Sequence, residues 1–236
     1  MSSPRDTPGI LTLVLLALTV VTGLIDAVSY LGLGRVFTAN MTGNLVLLGF
    51  AATGAPGLSV SRSGAALAAF LVGALIGGRL VVHRGAGPRL RLTGAACGIE
   101  AALLAAAIAV ALDARAGGEI DAAHMYAVIG LTGVAMGVRN ATVRRLGVAD
   151  LTTTVLTLTI TGLGADSSLA GGTNANWARR LGAVFALLAG AAVGAWLVRS
   201  SLALALGTAA TISALCGAVA YLADPEAVTP IGARST

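Results

Sequence analysis

Asp26 carries the sharpest chemistry in this sequence, because it stands inside a long apolar run with Thr19, Thr22, Ser29 and Tyr30 at steps of three and four. That spacing places all five on one stripe of a 3.6-residue helix. A carboxylate so enclosed must be protonated, paired with an arginine or set in a wet cavity, since an isolated charge there costs several kcal/mol. Two roles follow: a carboxyl group that takes up and releases a proton or cation, or a hydrogen-bonding staple between helices. Glu100 poses the same choice within the apolar run from Thr93 to Leu112.

Other polar residues interrupt apolar runs in the same way. Thr38, Asn40, Thr42 and Asn44 surround Gly43, while Thr132, Met136, Arg139 and Asn140 share a helical face, as do Asp150, Thr154, Thr157 and Thr161. Threonine bonds its own helix carbonyls readily, so the threonine stripe alone says little. Together with the asparagines it points to a polar cavity. The spacing predicts that Thr22, Asp26 and Tyr30 face Asn40, Asn44, Arg139 and Asn140 around one central region, with Thr42 and Glu100 as further residues of a substrate or ion pathway.

Familiar catalytic signatures are missing. No G-x-x-x-x-G-K-[ST] loop cradles phosphates, which removes an ATP-driven pump encoded in this chain. His83 and His124 lack metal-ligand spacing, and no serine has a legible His and Asp partner, so neither a metal site, a cofactor nor an enzyme is predicted. Cys97 and Cys216 lie in apolar surroundings outside any C-x-x-C pattern and read as small buried hydrophobes.

The elements that hold these residues are membrane helices. Of 236 residues 56% are hydrophobic and 11% charged, and fifteen arginines with ten acidic residues could not cover the surface of a soluble domain of this size. Mean hydropathy is +0.89. A secreted domain, a disordered chain and a nucleic-acid-binding module are all excluded. The basic balance is spread between apolar segments, where its role is membrane orientation.

A spanning helix needs about 20 apolar residues. Eight segments approach that length: Ile10 to Gly34, Thr38 to Thr53, Gly64 to Val82, Thr93 to Leu112, Ala122 to Asn140, Leu151 to Leu169, Leu181 to Val198 and Leu202 to Leu222. The first is too long for the apolar region of a signal peptide. The second and sixth are short or threonine-rich and broken by Gly43, Gly162 and Gly164; as re-entrant segments they would lower the number of crossings to six or seven. The expected fold is an all-α transmembrane bundle of six to eight membrane segments, a single membrane domain over residues 1–236 with short polar tails at 1–9 and 223–236. With eight crossings, the arginines favour an external N-terminus and a cytoplasmic connection from His83 to Leu92, although Arg179 and Arg180 oppose that orientation.

Two halves are related in sequence, a first repeat over 10–112 and a second over 122–222. FLVGALIGGRLV at Phe70 lies over LLAGAAVGAWLV at Leu187 with an offset of 117, setting Gly73 on Gly190 and Gly77 on Gly194 as helix-packing positions. TGLIDAVSYLG at Thr22 lies over TGVAMGVRNAT at Thr132 with an offset of 110, and Cys97-Gly98 over Cys216-Gly217. Halves with four crossings each would be parallel; with three each they would be inverted.

The stretch TGLIDAVSYLGLGRVFTANMTGNLVLLG, Thr22 to Gly49, resembles the opening signature of the YoaK-type family of uncharacterised bacterial multi-pass membrane proteins, and GVAMGVRNATVRRLGVADLTTTVLTLTITGL, Gly133 to Leu163, resembles its second. The resemblance covers nearly the whole chain. It implies a bacterial inner-membrane location and marks Asp26, Tyr30, Asn40, Thr42, Gly43, Asn44 and Asn140 as signature residues, without supplying a substrate. The function expected is a secondary transporter or exporter of a small solute, coupled to protons or a cation through Asp26 or Glu100. Its partners would be the lipid bilayer, the solute or ion, and, as an open option, further copies of the chain. The alternative is a membrane-embedded interaction or lipid-binding protein whose polar residues only hold helices together.

Overall fold

A computed structural model describes residues 8–84, 89–116, 120–146 and 156–224. The bundle is all-helical. Its helices are α1 (Pro8–Ala27, continued by one π-helical turn, Val28–Gly32), α2 (Met41–Ala52), α3 (Val60–Arg84), α4 (Arg89–Ala116), α5 (Ala122–Leu146), α6 (Leu156–Ala165), α7 (Trp177–Ser200) and α8 (Leu202–Leu222). Among the described residues, five stretches are long and apolar enough to cross a membrane: Gly9–Gly32, Val60–His83, Arg89–Ala114, Trp177–Ser200 and Leu202–Leu222. Helix α5 has the length but carries Arg139 on its buried face and Arg144 and Arg145 in its last turn.

The contacts fix the direction of each long helix. Helices α1 and α7 run parallel, Leu16 meeting Gly182 and Val198 meeting Gly32; so do α3 and α5, Ser61 bonding Tyr126 and Gly77 packing on Val138. Helix α4 is antiparallel to α8, where Arg91 reaches Asp224 and Ile108 nears Gly207. It is antiparallel to α5 as well, since Glu100 pairs with Arg139 and His124 with Asp113. Helices α1 and α8 are likewise antiparallel, Val14 lying near Cys216 and Gly32 near Leu202. In chain order α1, α3, α4, α5, α7 and α8 therefore alternate in direction.

Helices α2 and α6 have 12 and 10 residues. At 1.5 Å per residue neither covers more than about two thirds of the hydrocarbon core. The chain thus leaves each on the side where it entered, and among the described residues the five apolar helices and α5 remain as the six that have the length of a crossing. This corrects the external N-terminus paired with a cytoplasmic His83–Leu92 connection. Leu11 and Leu15 at the start of α1, Val81 at the end of α3 and Leu90 and Leu92 at the start of α4 belong to one apolar cluster, so both features lie at one end of the bundle. We call this the proximal end; α1 finishes at the distal end.

A second apolar cluster, containing Leu33, Val36, Leu104, Val128 and Leu206, fills the distal half. Parallel helices in the bundle approach closely because glycines replace side chains at the crossings. A Cβ on Gly73 would strike the Val134 carbonyl and one on Gly190 the Val20 carbonyl, while Gly77 packs against Val138 and Gly194 against Leu24. Each predicted glycine is therefore at a helix contact. The same contacts set α5 against α1 at an offset of 114, since Val134 does at Gly73 what Val20 does at Gly190. The offset of 110 is one helical turn short of this. At an offset of 114 Gly137 lies over Gly23, Asn140 over Asp26 and Met136 over Thr22.

Candidate functional site

Four helices meet at a buried ion pair between the two apolar clusters. Arg139 of α5 and Glu100 of α4 have no exposed side-chain surface, and Arg139 Nη1 donates to Glu100 Oε1 at 2.9 Å. The same nitrogen donates to the Leu18 carbonyl of α1 at 3.2 Å, while Nη2 donates to Thr22 Oγ1 at 2.9 Å and faces the Met136 sulfur. Ser213 of α8 completes the cluster by donating its hydroxyl to Glu100 Oε1 at 2.9 Å. Glu100 Oε2 and Arg139 Nε are buried with no hydrogen-bond partner. Two ions in such a setting are stable only as a pair, and removing either member strands the other charge.

The cluster includes Thr22, Glu100 and Arg139 from the sequence-predicted pathway but not Asp26. Asp26, one turn beyond Thr22, accepts the Asn40 backbone N–H at 3.1 Å through Oδ1. Asn40 caps α2, its side-chain oxygen accepting the Gly43 N–H at 3.1 Å. Asn44 is buried and ties α2 to its surroundings, accepting from Phe37 N at 3.3 Å and donating to the Ser63 carbonyl at 2.9 Å. The ring of Tyr30 stacks on Phe37 with centroids 5.1 Å apart. Asp26, Tyr30, Asn40 and Asn44 together anchor the short helix α2 and its approach segment at the distal side of the pair.

Thr42 lies on the exposed face of α2. Asn140 donates to the Met136 carbonyl at 2.8 Å on its own helix. The single central region expected from spacing is therefore two layers, a midplane ion pair and a distal anchor. The physical reason is depth: Asp26 and Asn140 each stand near the end of their own helix, and those helices end on opposite sides. Asp150 and Thr154 lie outside the described residues. Thr161 bonds the Thr157 carbonyl at 2.8 Å, the local threonine pattern that carries little information.

Sequence reasoning missed Ser213 and the Leu18 carbonyl, and did not pair Glu100 with Arg139. The sequence held no signal for Ser213, because the match of Cys97 with Cys216 relates the halves without saying which residues face each other; the packing of Gly217 on Cys97 sets Ser213 at the level of Glu100.

Ionic contacts elsewhere sit at the ends of the bundle. At the distal end His124 lies between Asp121 at 2.7 Å and Asp113 at 3.1 Å, and the His124 backbone N–H holds the Asp121 carboxyl below its usual range. At the proximal end Arg91 meets Asp224 at 3.0 Å and Arg180 meets Asp166 at 2.6 Å. Among the described residues no three His, Cys, Asp or Glu side chains gather as metal ligands would.

Comparison with known proteins gives a family match across most of the chain. Residues 14–219 match the family described as "Protein of unknown function (DUF1275)". The chain is 34% identical over 146 residues to the UPF0700 transmembrane protein YoaK of Bacillus subtilis (strain 168), a match covering 62% of each protein and so less than two thirds of the relative's length. No solved structure matches.

Proposed function

We propose a function on the premise that this chain belongs to the DUF1275 family of multi-pass membrane proteins: a secondary carrier for a small solute in the bacterial inner membrane, coupled to protons at Glu100. The chain is read as a duplicated unit. Each half supplies a long helix, a short helix and two further long helices, and the packing of α3 on α5 and α4 on α5 corresponds to that of α7 on α1 and α8 on α1. Three crossings per half make the repeats inverted, an arrangement used by carriers whose working site lies between the halves near the midplane. The excess of arginine supports a cytoplasmic proximal end: Arg79, Arg84, Arg89, Arg91, Arg144, Arg145, Arg179 and Arg180 flank it, against Arg35, Arg62, Arg115 and Arg199 at the distal end. Arg179 and Arg180, which opposed an eight-crossing chain, agree with six.

The observation that carries the coupling role is the half-satisfied carboxylate of Glu100. One oxygen holds Arg139 and Ser213; the other is buried without a partner. A proton on that second oxygen cancels the charge that holds Arg139, which also grips α1 through Leu18 and Thr22. Protonation thus loosens the junction of α1 and α4 from one half with α5 and α8 from the other. Asp26 is assigned to anchoring, since its carboxylate holds the start of α2.

The competing reading, a membrane-embedded interaction or lipid-binding protein with no transport, draws on the complete enclosure of the pair. Vesicles loaded with a pH-sensitive dye and challenged with a panel of small amines, carboxylates, amino acids and sugars separate the two. A carrier gives solute-dependent proton flux with the wild-type chain, and Glu100→Gln, inserted at equal density, lowers that flux about tenfold or more, within the contribution usual for a positioned proton-transfer group. Flux no greater than in protein-free vesicles across the panel, or undiminished flux in the variant, removes the coupling assignment.

A further inference from the structure

The distal end holds two arginines that have no counterion among the described residues, one lining an open cavity and one packed beside its lining. Tyr30, Leu31, Gly34, Arg35 and Gly57 line a space of about 660 Å³ where α1 ends. The Arg35 guanidinium lies across Gly57. That of Arg62, from the first turn of α3, lies behind the cavity lining, against Gly34. Both glycines have left-handed backbones, φ +78 and +80, and a Cβ on either would run into the guanidinium beside it. Arg35 itself is held at φ 60, a conformation that a non-glycine residue adopts only when its surroundings impose it.

Neither guanidinium has a carboxylate within ion-pair distance among the described residues, and Arg62 Nε is buried with no hydrogen-bond partner. The proximal end handles the corresponding charge differently. There Arg180, in the first turn of α7, is held by the Asp166 carboxylate at 2.6 Å and the Gly162 carbonyl at 2.7 Å. A protein acid neutralises the arginine at one end of the bundle, and no described acid does so at the other.

We propose that Arg35, Arg62 and the Tyr30 hydroxyl form a binding site for a phosphate-type oxyanion at the distal mouth of the bundle. The planar forks of two arginines match the oxygens of such a group, and the tyrosine adds a neutral donor. The oxyanion belongs either to a free solute or to the headgroup of an anionic lipid, which share this chemistry. The site stands independently of the carrier reading: it is tested at equilibrium, without flux, so either proposal can fail alone.

The test uses the full-length chain purified in a zwitterionic detergent, with Arg62→Gln, Arg35→Asn and, as a charge control at the opposite, proximal end, Arg89→Gln. Asparagine is chosen because it tolerates the left-handed backbone. In one arm, thermal unfolding is followed as inorganic phosphate is titrated against potassium chloride of equal ionic strength. In the other, protein reconstituted in phosphatidylcholine vesicles with or without phosphatidylglycerol is re-extracted and its retained lipid weighed by native mass spectrometry. The wild type and Arg89→Gln should bind in at least one arm, and each of Arg62→Gln and Arg35→Asn about tenfold more weakly, as expected for losing one charged hydrogen-bond set. Phosphate stabilisation assigns the site to a free anion; retained phosphatidylglycerol assigns it to a headgroup. Absence of binding in both arms, or binding unchanged in Arg62→Gln and Arg35→Asn, overturns the site. Should either variant elute as aggregate, Arg62→Lys, which keeps the charge but loses the fork, replaces it: weakened binding supports the site, and wild-type binding overturns it.

Discussion

Glu100 and Arg139 illustrate how a buried charge constrains its neighbours. The pair joins α4 to α5 and is held in turn by α1 and α8, and neither side chain reaches solvent. Arg139→Ala strands a buried carboxylate and should destabilise the protein by about 3–5 kcal/mol, whereas Arg139→Met combined with Glu100→Gln removes both charges and should cost much less than the two single changes added together. Thermal unfolding of the wild type, Arg139→Ala, the two single variants and the double variant in detergent measures this. Additive losses would mean that the pair is not energetically coupled. The sequence showed both ions and the helical stripe of Thr22, but not their pairing, because Glu100 and Arg139 are far apart in the chain and spacing within one helix says nothing about its rotation against another.

Among the elements, the parallel crossings of α1 on α7 and α3 on α5 depend on absent side chains. At Gly190 the neighbouring backbone is that of Val20, which cannot swing aside as a side chain end can. Gly190→Ala should therefore separate α1 from α7 and cost about 1–3 kcal/mol, the usual penalty of overpacking. Gly98→Ala, with nothing within 4 Å of the added Cβ, should be close to neutral. Comparing their unfolding midpoints is the check, and equal effects would contradict the crossing geometry. These glycines were legible because their four-residue spacing survives in both halves. The short helices were less so: α2 is as apolar as its neighbours, and only its length of 12 residues excludes a crossing.

For the whole molecule, the six-crossing path puts both ends of the described chain on one side. Single cysteines at Ser3 and Gly87 should react with an impermeant maleimide from the same face of the membrane, the cytoplasmic one by the arginine excess, and one at Thr53 from the opposite face. The two native cysteines are buried and should stay silent. Labelling of Ser3→Cys and Gly87→Cys from opposite faces would refute the alternating path and the inverted halves with it.

Composition and apolar length determined that this chain is a bundle of membrane helices, and the spacing in α1 set Thr19, Thr22 and Ser29 on a buried face, while Thr42, Thr157 and Thr161 lie exposed. Those properties depend on nearest neighbours along the chain and on burial against lipid. Depth, register and pairing belonged to the tertiary structure. Offsets of 110 and 114 differ by about one turn, so both lay the same helical faces over each other, and the contacts of Val134 with Gly73 and of Val20 with Gly190 fall at 114. The partner of Arg139 was decided in the same way: Asp26 lies on the stripe of Thr22, but its carboxylate is committed to the start of α2, while Glu100 approaches from α4 at the level the guanidinium reaches.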